Sequence, residues 1–285
     1  MESKSLILIT GITGFIGNSL INKKKFLNNY SIIGTSTNNY FKIYKEKLVK
    51  IDINEFTDTL DRHEDIKIIH LATFYSLLKE DKNKINDANL SYGKRLLKTI
   101  DKKKIKKIIN FNSMFAFSDN PEITSSIYVS TKKEFSIFIN NFSSQNNILY
   151  DEIYLDNTFG LLDKRDKVVP IIISSILNNN KNPIQHPEKF INLIDVTYLI
   201  DFIFELVQRD TKSVYALYSK NEYNLASIYK YMEAKIKNTE AKTIEYRQNE
   251  ISIKIPNNIE KVEIDFDIER SLDYLITNIK SELVT

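Results

Sequence analysis

Tyr128 and Lys132 stand four residues apart, the spacing that places two side chains one above the other on a helix face. A lysine ammonium beside a phenol favours the phenolate and so lowers a pKa that starts near 10. A phenol in this setting can donate or accept a proton near neutral pH. The pair therefore predicts acid–base chemistry carried by a helix.

The same spacing occurs elsewhere, because Tyr75 and Tyr231 are each also followed by a lysine four residues on. Only Tyr128 follows an apolar run that ends in polar side chains, and Ser113 is the hydroxyl among them. Functional groups of parallel sheets gather at the carboxyl ends of the strands. We therefore expect Ser113 to hydrogen-bond the reacting oxygen while Tyr128 transfers the proton. Tyr75 comes just after another predicted strand, which places it near the same crevice.

Glycine is scarce, with 6 among 285 residues, and Gly11, Gly14 and Gly17 fall within seven consecutive positions. They lie between the apolar run Leu6–Thr10 and an apolar helix pattern, which is the context that a dinucleotide site requires. Gly11 allows a tight turn, Gly14 lets the backbone approach a pyrophosphate, and Gly17 lets the helix lie close to the strand. The start of such a helix offers N–H groups and a positive dipole end to phosphates.

The second predicted strand ends in Thr35 and Ser36, followed by Thr37, two asparagines and Lys42, with no carboxylate. An enzyme that selects NAD often has Asp or Glu here to bind the ribose 2′-hydroxyl. Without a carboxylate to repel it, a 2′-phosphate is tolerated, so we predict NADP(H) as the cofactor. Asp52, at the end of the next predicted strand, is expected to meet the adenine amino group.

Short apolar runs alternate with amphipathic stretches through the first half of the chain. The runs are rich in isoleucine, as strands buried on both faces should be. This alternation predicts right-handed crossovers, and hence an α/β fold with a Rossmann-type, doubly wound parallel sheet and a smaller C-terminal substrate-binding lobe. The predicted strands are Leu6–Thr10, Ser31–Thr35, Leu48–Ile51, Ile66–His70, Lys107–Phe111 and Ile148–Leu155.

The pattern loosens after Gly160, which marks the expected end of the continuous sheet domain. Residues 1–160, with a returning segment at about 190–208, are predicted to form the dinucleotide-binding domain. Residues 161–189 and 209–285 are predicted to form the smaller, nucleotide-sugar-binding lobe. The lysine run at 102–107 is interpreted as a solvent-facing helix end.

Composition excludes several classes of protein. Cysteine is absent, which rules out disulfide scaffolds, iron–sulfur centres and thiol nucleophiles. The 3 histidines are scattered along the sequence, so no metal site is predicted. The 40 basic and 37 acidic residues nearly balance, so no nucleic-acid partner is predicted. No apolar run is long enough to span a membrane, and we expect a cytoplasmic protein.

Several motifs follow one another in the order typical of the extended short-chain dehydrogenase/reductases, also called the NAD-dependent epimerase/dehydratase family, and the chain resembles this family over nearly its whole length. Within it, the segments 68–75 and 87–89 and the short serine segment are most similar to CDP-abequose and CDP-paratose synthases, which are nucleotide-sugar 4-ketoreductases. The motifs are Thr10–Gly17, His70–Thr73, Ser113 with Tyr128 and Lys132, Asn157–Gly160, and Ile194–Asp195.

The resemblance implies a role for each matching position. The catalytic set would be Ser113, Tyr128 and Lys132. The residues expected at the cofactor are Gly11, Thr13, Gly14, Phe15, Ile16, Gly17, Thr35, Ser36, Asp52, Ile53, Leu71, Ala72, Thr73, Asn89, Tyr128 and Lys132. Those expected at the substrate are Thr73, Tyr75, Ser113, Met114, Asn157 and Arg247, the last as the partner of the substrate diphosphate.

The chain departs from the family pattern in its substrate region. Phe117 replaces a usual Tyr, Tyr154 stands where many members have Arg, and Asn192 replaces a frequent His. Nucleotide-sugar dehydratases place Asp-Glu directly after the catalytic hydroxyl, whereas Met114 and Phe115 occupy those positions here. Dehydration therefore lacks its acid and base.

These observations predict an NADPH-dependent reductase of a nucleotide-linked 4-keto-6-deoxy hexose, with the 3,6-dideoxy series included, that serves O-antigen or capsule synthesis. One alternative is a 4-epimerase that retains NAD and uses the same residues without net oxidation. Another is a non-catalytic dinucleotide sensor, which would not need the complete catalytic set. The resemblance favours a CDP-linked sugar as the partner and implies a homodimer.

Overall fold

The computed structural model describes residues 4–76, 81–180 and 184–284, apart from the side chains of 252, 253 and 282–284. The β-strands of this part of the chain are β1 (Leu6–Thr10), β2 (Ser31–Ser36), β3 (Asn39–Tyr44), β4 (Lys47–Ile51), β5 (Ile66–His70), β6 (Ile105–Ser113), β7 (Leu149–Leu155), β8 (Asn157–Phe159), β9 (Phe190–Asp195), β10 (Val214–Ser219), β11 (Asn221–Asn224), β12 (Tyr246–Gln248) and β13 (Glu260–Ile264).

The α-helices of the same residues are α1 (Phe15–Ile21), α2 (Lys24–Asn29), α3 (Ile53–Arg62), α4 (Lys82–Asn86), α5 (Tyr92–Thr99), α6 (Pro121–Thr124), α7 (Ile127–Gln145), α8 (Val168–Leu177), α9 (Val196–Gln208), α10 (Leu225–Ile236), α11 (Ile251–Lys254) and α12 (Ile268–Val284). A π-helical turn, Asp87–Ser91, joins α4 to α5, and 3₁₀ turns occupy Lys102–Lys104 and Met114–Phe117.

A nine-stranded sheet has the order β13-β10-β7-β6-β5-β1-β2-β3-β4. β1 pairs in parallel with β2 and β5, and the parallel pairing continues from β5 to β6 and from β6 to β7. Every residue of β1 is buried, as the apolar run predicts for a strand covered on both faces. The prediction of an α/β, Rossmann-type fold with a mostly parallel sheet is confirmed.

The outer edge of this sheet differs from the predicted pattern. β3 runs antiparallel to β2 and to β4, and two-residue turns join these strands. Thr37, Asn38, Lys45 and Glu46 all have positive φ, which is the backbone of type I′ hairpin turns. Because β3 separates β4 from β2, Asp52 follows a strand that is two positions away from β2 rather than its neighbour.

The chain forms two compact units by its internal contacts. One contains Met1–Leu155, Ile200–Ala216 and Ile255–Glu260, and the other contains Asp156–Leu199, Leu217–Lys254 and Lys261–Thr285. The second unit thus begins at Asp156 rather than at 161, since β8 pairs with β9 in a smaller sheet. The later segment that belongs to the first unit is 200–216, whereas about 190–208 was predicted. The difference arises because β9 belongs to the smaller sheet.

In the first unit, the core lies between the large sheet and the helices α3, α5 and α7. Apolar side chains of alternate strand positions, such as Leu6, Leu8 and Ile68, pack there with Phe135 of α7. Each is at most 2% exposed, and burial of a side chain of this size stabilises the fold by about 1.5–3 kcal/mol.

Gly93 of α5 lies against the Phe135 ring of α7. A Cβ atom at position 93 would meet Phe135 Cζ at 2.3 Å and His70 Cε1 at 3.0 Å. The glycine therefore allows the two helices to approach each other closely.

Gly93→Ala is expected to lower the free energy of unfolding by about 1 kcal/mol, measured by urea denaturation. Overpacking against Phe135 costs about 1–3 kcal/mol, while the gain in helix propensity returns only about 1 kcal/mol. In a double-mutant cycle, Phe135→Leu should relieve much of this loss. A Gly93→Ala chain as stable as the wild type would contradict this account of the packing.

The second unit contains a four-stranded sheet of order β12-β11-β9-β8. β8 and β9 are parallel, and β11 is antiparallel to both β9 and β12. Buried side chains of α8, α10 and α12, among them Ile172, Ile228 and Leu272, share one core with Phe159 and Tyr223 of the sheet. No helix of the described residues is both long and apolar enough to cross a membrane.

Candidate active site

The glycine turn between β1 and α1 has the backbone that the sequence predicts. Gly11 has a φ of +69°, which favours glycine, and the Gly14 N–H donates to the Gly11 carbonyl at 2.9 Å. Gly14 is the N-cap of α1, with no side-chain cap, and the first turn of the helix contains no acidic residue. This helix end can therefore accept a phosphate without first displacing a protein side chain.

Gly17 lets α1 lie directly on the turn. A Cβ atom at this position would be 2.5 Å from the Gly11 carbonyl oxygen and 2.8 Å from the Ile12 Cα atom. Both neighbours are backbone atoms, which cannot move aside without changing the turn. Phe15 is buried beside it, whereas Thr13 is exposed and Ile16 is partly exposed.

Gly17→Ala is expected to weaken nicotinamide dinucleotide binding by tenfold or more, that is by about 1.4 kcal/mol, because the turn must shift to accept the methyl group. The dissociation constant can be measured by fluorescence titration with NADPH and NADH. Ser19→Ala, a change on the same helix that removes only a bond to the Phe15 carbonyl, is the matched control. Equal affinities of the Gly17→Ala and Ser19→Ala chains would refute this role of the turn.

The end of β2 carries hydroxyl groups on both faces. Ser36 Oγ lies 2.5 Å from Thr13 Oγ1 of the glycine turn, and Thr35 Oγ1 is hydrogen-bonded to the Tyr92 hydroxyl of α5. The Thr13–Ser36 pair is exposed, whereas Thr35 is buried. The Thr13–Ser36 contact thereby joins the glycine turn to the end of β2.

The cation nearest to this edge in the sequence is already paired. Lys42 of β3 forms an ion pair with Glu55 of α3. Asp52 caps α3, since its carboxylate accepts from the Glu55 N–H at 2.9 Å, and Ile53 is 46% exposed. Lys42 must therefore change partners before it can meet a 2′-phosphate.

The segment after β5 passes beside the glycine turn. The Leu71 N–H donates to the Thr10 carbonyl, and the Ala72 N–H donates to Thr10 Oγ1 at 3.0 Å. Asn89, in the π-helical turn, holds the next part of this segment, because its amide makes hydrogen bonds to both the N–H and the carbonyl of Phe74. Asn89 thus fixes the backbone of the segment after β5, and its contact with the cofactor stays a prediction.

Lys132 is the centre of the predicted catalytic set. Its Nζ donates to Thr73 Oγ1 and to the Phe111 carbonyl, each at 2.8 Å, and lies 5.8 Å from the centroid of the Tyr128 ring. The side chain is buried, and burial lowers the pKa of Lys132 to about 8, with Glu152 opposing the shift. The ammonium form therefore persists at neutral pH close to the phenol.

The Tyr128 ring packs against a second tyrosine. Tyr75 meets it edge to face, with ring centroids 4.9 Å apart, and also contacts Phe115 at 6.2 Å. Tyr128 is 9% exposed, whereas Tyr75 is 36% exposed, and burial raises the pKa of Tyr75. The Tyr75 ring, from the loop after β5, thus lies between Tyr128 of α7 and Phe115 of the turn after β6.

Ser113 ends β6 and caps the 3₁₀ turn that follows. Its Oγ accepts from the Phe115 N–H at 3.3 Å, and its own N–H donates to Asn112 Oδ1 at 2.8 Å. Asn112 Nδ2 in turn donates to Glu152 Oε1 at 3.0 Å. Asn112 and Glu152 were missed at the sequence level, although polar residues within otherwise buried strands are a signal that could have found them.

The residues expected at the substrate lie in different environments. Met114 is 4% exposed and so offers little surface to a ligand. In the second unit, the Asn157 amide donates to Asp156 Oδ1 at 2.9 Å. Arg247 is 51% exposed, forms an ion pair with Glu222 at 2.8 Å and lies over the Phe190 ring.

Burial raises the pKa of Asp156 to about 6, against the lowering effect of its bond to the Asn157 N–H. Its neighbour Asn157 therefore stands beside a carboxyl group that changes charge close to neutral pH.

The three departures from the family pattern each have a local partner. The Phe117 and Tyr154 rings pack against each other, with centroids 4.7 Å apart. Asn192 is buried and bonds to both the N–H and the carbonyl of Ser219, each at 3.0 Å. Asn192 therefore joins β9 to the end of β10.

The structure shows different surroundings for the tyrosine–lysine pairs that share the four-residue spacing. Tyr231 and Lys235 both bond to the Asp273 carboxylate at 2.8 Å, which makes them part of the contact between α10 and α12. The lysine that follows Tyr75, Lys79, lies outside the described residues. Of the two pairs that the structure describes, the one with Tyr128 stands at the end of β6.

The fold and the glycine turn define a Rossmann-type dinucleotide-binding protein. The family described as the NAD dependent epimerase/dehydratase family matches residues 7–240, and the chain belongs to this family. The description of the family records a nicotinamide dinucleotide cofactor and epimerase and dehydratase activities.

Two curated relatives are CDP-abequose synthases. The one from Salmonella typhimurium is 26% identical over 61% of this chain, and the match spans 60% of that protein, less than two thirds of its length. The one from Yersinia pseudotuberculosis is 25% identical over 86% of this chain and 90% of its own. The solved UDP-glucuronic acid 4-epimerase of Bacillus cereus, in complex with NAD, is similar in fold, with a TM-score of 0.71 and 16% identity over 97% of this chain and 99% of that one.

Proposed function

We propose that the chain is an NADPH-dependent reductase that converts the 4-keto group of a nucleotide-linked 4-keto-6-deoxy hexose to a hydroxyl group, with the 3,6-dideoxy series included. The observation that carries the proposal is the geometry at the end of β6. Lys132 is anchored to the Phe111 carbonyl, two residues before Ser113, and lies beside Tyr128. These contacts support a site in which Tyr128 is the acid, Lys132 its cationic partner and Ser113 the hydroxyl that orients the carbonyl oxygen.

The glycine turn between β1 and α1 would hold the dinucleotide, and its nicotinamide would supply the hydride for the C4 carbonyl carbon. Tyr128 donates its phenolic proton to the carbonyl oxygen, so that one hydride and one proton complete the reduction. Ser113 donates a hydrogen bond to the same oxygen and orients it. The Lys132 ammonium stabilises the phenolate that remains until a solvent proton replaces the one transferred.

Dehydration is disfavoured by the residues that follow Ser113. Met114 and Phe115 are apolar, and Met114 is buried, so neither can remove or deliver a proton. The Glu152 carboxylate nearby is held by Asn110, Asn112 and Ser136, and it is 3% exposed. The site therefore supports carbonyl reduction better than elimination of water.

The relatives support a CDP-linked substrate, since both are named CDP-abequose synthases. Arg247 is the side chain we propose for the diphosphate, and it must then exchange Glu222 for the substrate. A guanidinium suits this task, because it binds an anion through two parallel hydrogen bonds. We further propose a cytoplasmic homodimer that makes sugars for a surface polysaccharide.

A second candidate is a 4-epimerase that retains NAD, and one observation favours it. Lys42, the lysine that follows β2 most closely in the sequence, is paired with Glu55 and so is not free to meet a 2′-phosphate. The NAD-bound 4-epimerase of Bacillus cereus has the same fold. An epimerase would use the same Tyr128 and Lys132 without net oxidation.

NADPH consumption across a panel of nucleotide 4-keto sugars, with NMR of the product, tests the reductase proposal. We expect turnover with a CDP-linked 4-keto-6-deoxy sugar, free exchange of the cofactor and tighter binding of NADPH than of NADH. Purification with near-stoichiometric bound NAD, together with interconversion of C4 epimers, would establish the epimerase instead.

A further inference from the structure

Glu152 is a buried carboxylate of β7 that the proposed reaction does not use directly. Asn110 and Asn112 donate to its Oε1 at 3.3 and 3.0 Å, and Ser136 of α7 donates to its Oε2 at 2.7 Å. Hydrogen bonds of this kind come from two different elements, β6 and α7. The carboxylate is therefore fixed between the strand that ends in Ser113 and the helix that carries Lys132.

Two lines of contact lead from this carboxylate to the catalytic set. Through Asn112 it reaches Ser113, because the same amide that donates to Glu152 accepts from the Ser113 N–H at 2.8 Å. Through α7 it reaches Lys132, which lies one helical turn before Ser136 and whose ammonium is favoured by the Glu152 charge. A buried lysine cation needs a counter-charge, because desolvation alone disfavours it strongly.

We propose that Glu152 is a positioning residue that balances the charge of Lys132 and holds the Asn112 amide against Ser113. The inference rests on the proposed function, since it assigns Glu152 to the Ser113–Tyr128–Lys132 set.

The other titratable groups around Lys132 and Glu152 do not replace this charge. His70 of β5 is buried, and burial followed by the Lys132 charge lowers its pKa to about 3, so it is neutral. Tyr150 and Tyr154 flank Glu152 on β7, and burial raises the pKa of both, so they too are neutral at pH 7. Tyr128 is the proposed acid itself, and Lys212, which lines a cavity beside Glu152, is a cation.

That cavity has a volume of about 250 Å³ and lies between α7 and β7. Its wall includes Glu152, Ser136 and Ser143, and the Ser143 hydroxyl is buried with no protein partner. A cavity of this size has room for water, and the hydroxyl groups in its wall offer hydrogen-bond partners beside the carboxylate.

The test is the titration of Lys132 in the full chain, followed by NMR of ¹³Cε-labelled lysine and assigned by loss of one signal in Lys132→Met. Glu152→Gln removes the charge, while its amide can still accept from Asn112 and donate to Ser136. Without the nearby negative charge the ammonium is less favoured, so the Lys132 pKa falls, and we expect a fall of about one unit or more. The alkaline limb of the activity profile should move to lower pH by the same amount.

Glu134→Gln is the matched control, because Glu134 lies on the same helix but is 59% exposed and paired with Lys94. Glu134→Gln should leave the pKa of Lys132 unchanged. Glu152→Asp keeps the negative charge, so its Lys132 pKa should be close to the wild-type value. An unchanged Lys132 pKa in Glu152→Gln would overturn the proposal. So would a wild-type Lys132 pKa of about 5–6, the range of an uncompensated buried lysine, and this measurement needs no variant.

The titration requires no substrate, so its outcome is separate from that of the proposed function. If no 4-keto sugar is reduced but Glu152→Gln shifts Lys132, the reductase proposal fails and the charge balance stands. If sugars are reduced but the Lys132 pKa is unchanged in Glu152→Gln, the proposed role of Glu152 is wrong and the reductase proposal stands.

Discussion

Replacing Tyr128 by Phe is expected to lower kcat by about 10²–10⁴-fold, because the variant lacks the group that donates the proton. The ring that packs against Tyr75 at 4.9 Å is retained, so the fold and the glycine turn are undisturbed. Cofactor affinity should change far less than kcat, by about tenfold at most, since the lost phenol contact is of the order of a single hydrogen bond, about 0.5–1.5 kcal/mol. Single-turnover rates and a separate NADPH titration distinguish the two effects.

Tyr231→Phe is the matched control for this experiment. Tyr231 also has a lysine four residues on, but both side chains bond to Asp273 in the second unit. The control should keep its activity within about twofold while losing one hydrogen bond of about 0.5–1.5 kcal/mol in stability. Full activity of Tyr128→Phe would eliminate the proposed acid and with it the reductase mechanism.

Replacing Asp151 by Ala is expected to reduce the free energy of unfolding by about 3–5 kcal/mol, because it leaves the Lys107 ammonium buried without a counter-charge. Lys107 and Asp151 are 1% and 0% exposed, and their charged atoms are 2.6 Å apart. Thr211 bonds to both side chains, and the Ser213 N–H donates to the carboxylate. The pair thus joins β6 and β7 to the start of β10.

Denaturant unfolding measures this loss, and two variants serve as controls. Glu205→Ala breaks an exposed ion pair with Arg209 and should cost no more than about 0.5 kcal/mol. Lys107→Met combined with Asp151→Leu removes both charges and should be less destabilised than Asp151→Ala alone. A loss below about 1 kcal/mol for Asp151→Ala would show that water reaches Lys107.

Lys107 also shows where the sequence interpretation was wrong. It belongs to the lysine run at 102–107, which is typical of a solvated surface. Lys102, Lys103 and Lys106 are indeed exposed, but Lys107 is inside β6 and buried against Asp151. Burial lowers the pKa of Lys107, and Asp151 opposes this shift. The carboxylate that decides the matter is 44 residues further along the chain, so no local pattern reveals it.

Local patterns were sufficient for much of the fold and for the centre of the candidate site. The glycines at 11, 14 and 17 predict the turn because each acts on backbone within a few residues of itself. Continuous apolar runs predict the parallel strands, since strands buried on both faces need no polar alternation. Ser113 ends β6, as its position after an apolar run predicts, and parallel strands all end on the same side of the sheet. The roles of Ser113, Tyr128 and Lys132 stay predictions.

Only the tertiary structure decided the features that depend on distant partners. β3 was missed because Thr37 and Lys45 are not the residues that usually form type I′ turns, and pairing with β2 overrides that preference. Gly93 acquires its role from Phe135, and Glu152 from Ser136 and the end of β6. In each case the stabilising contact joins segments that lie about 15 to 45 residues apart in the sequence, or neighbouring strands. A local sequence pattern does not show which distant segments are close in space.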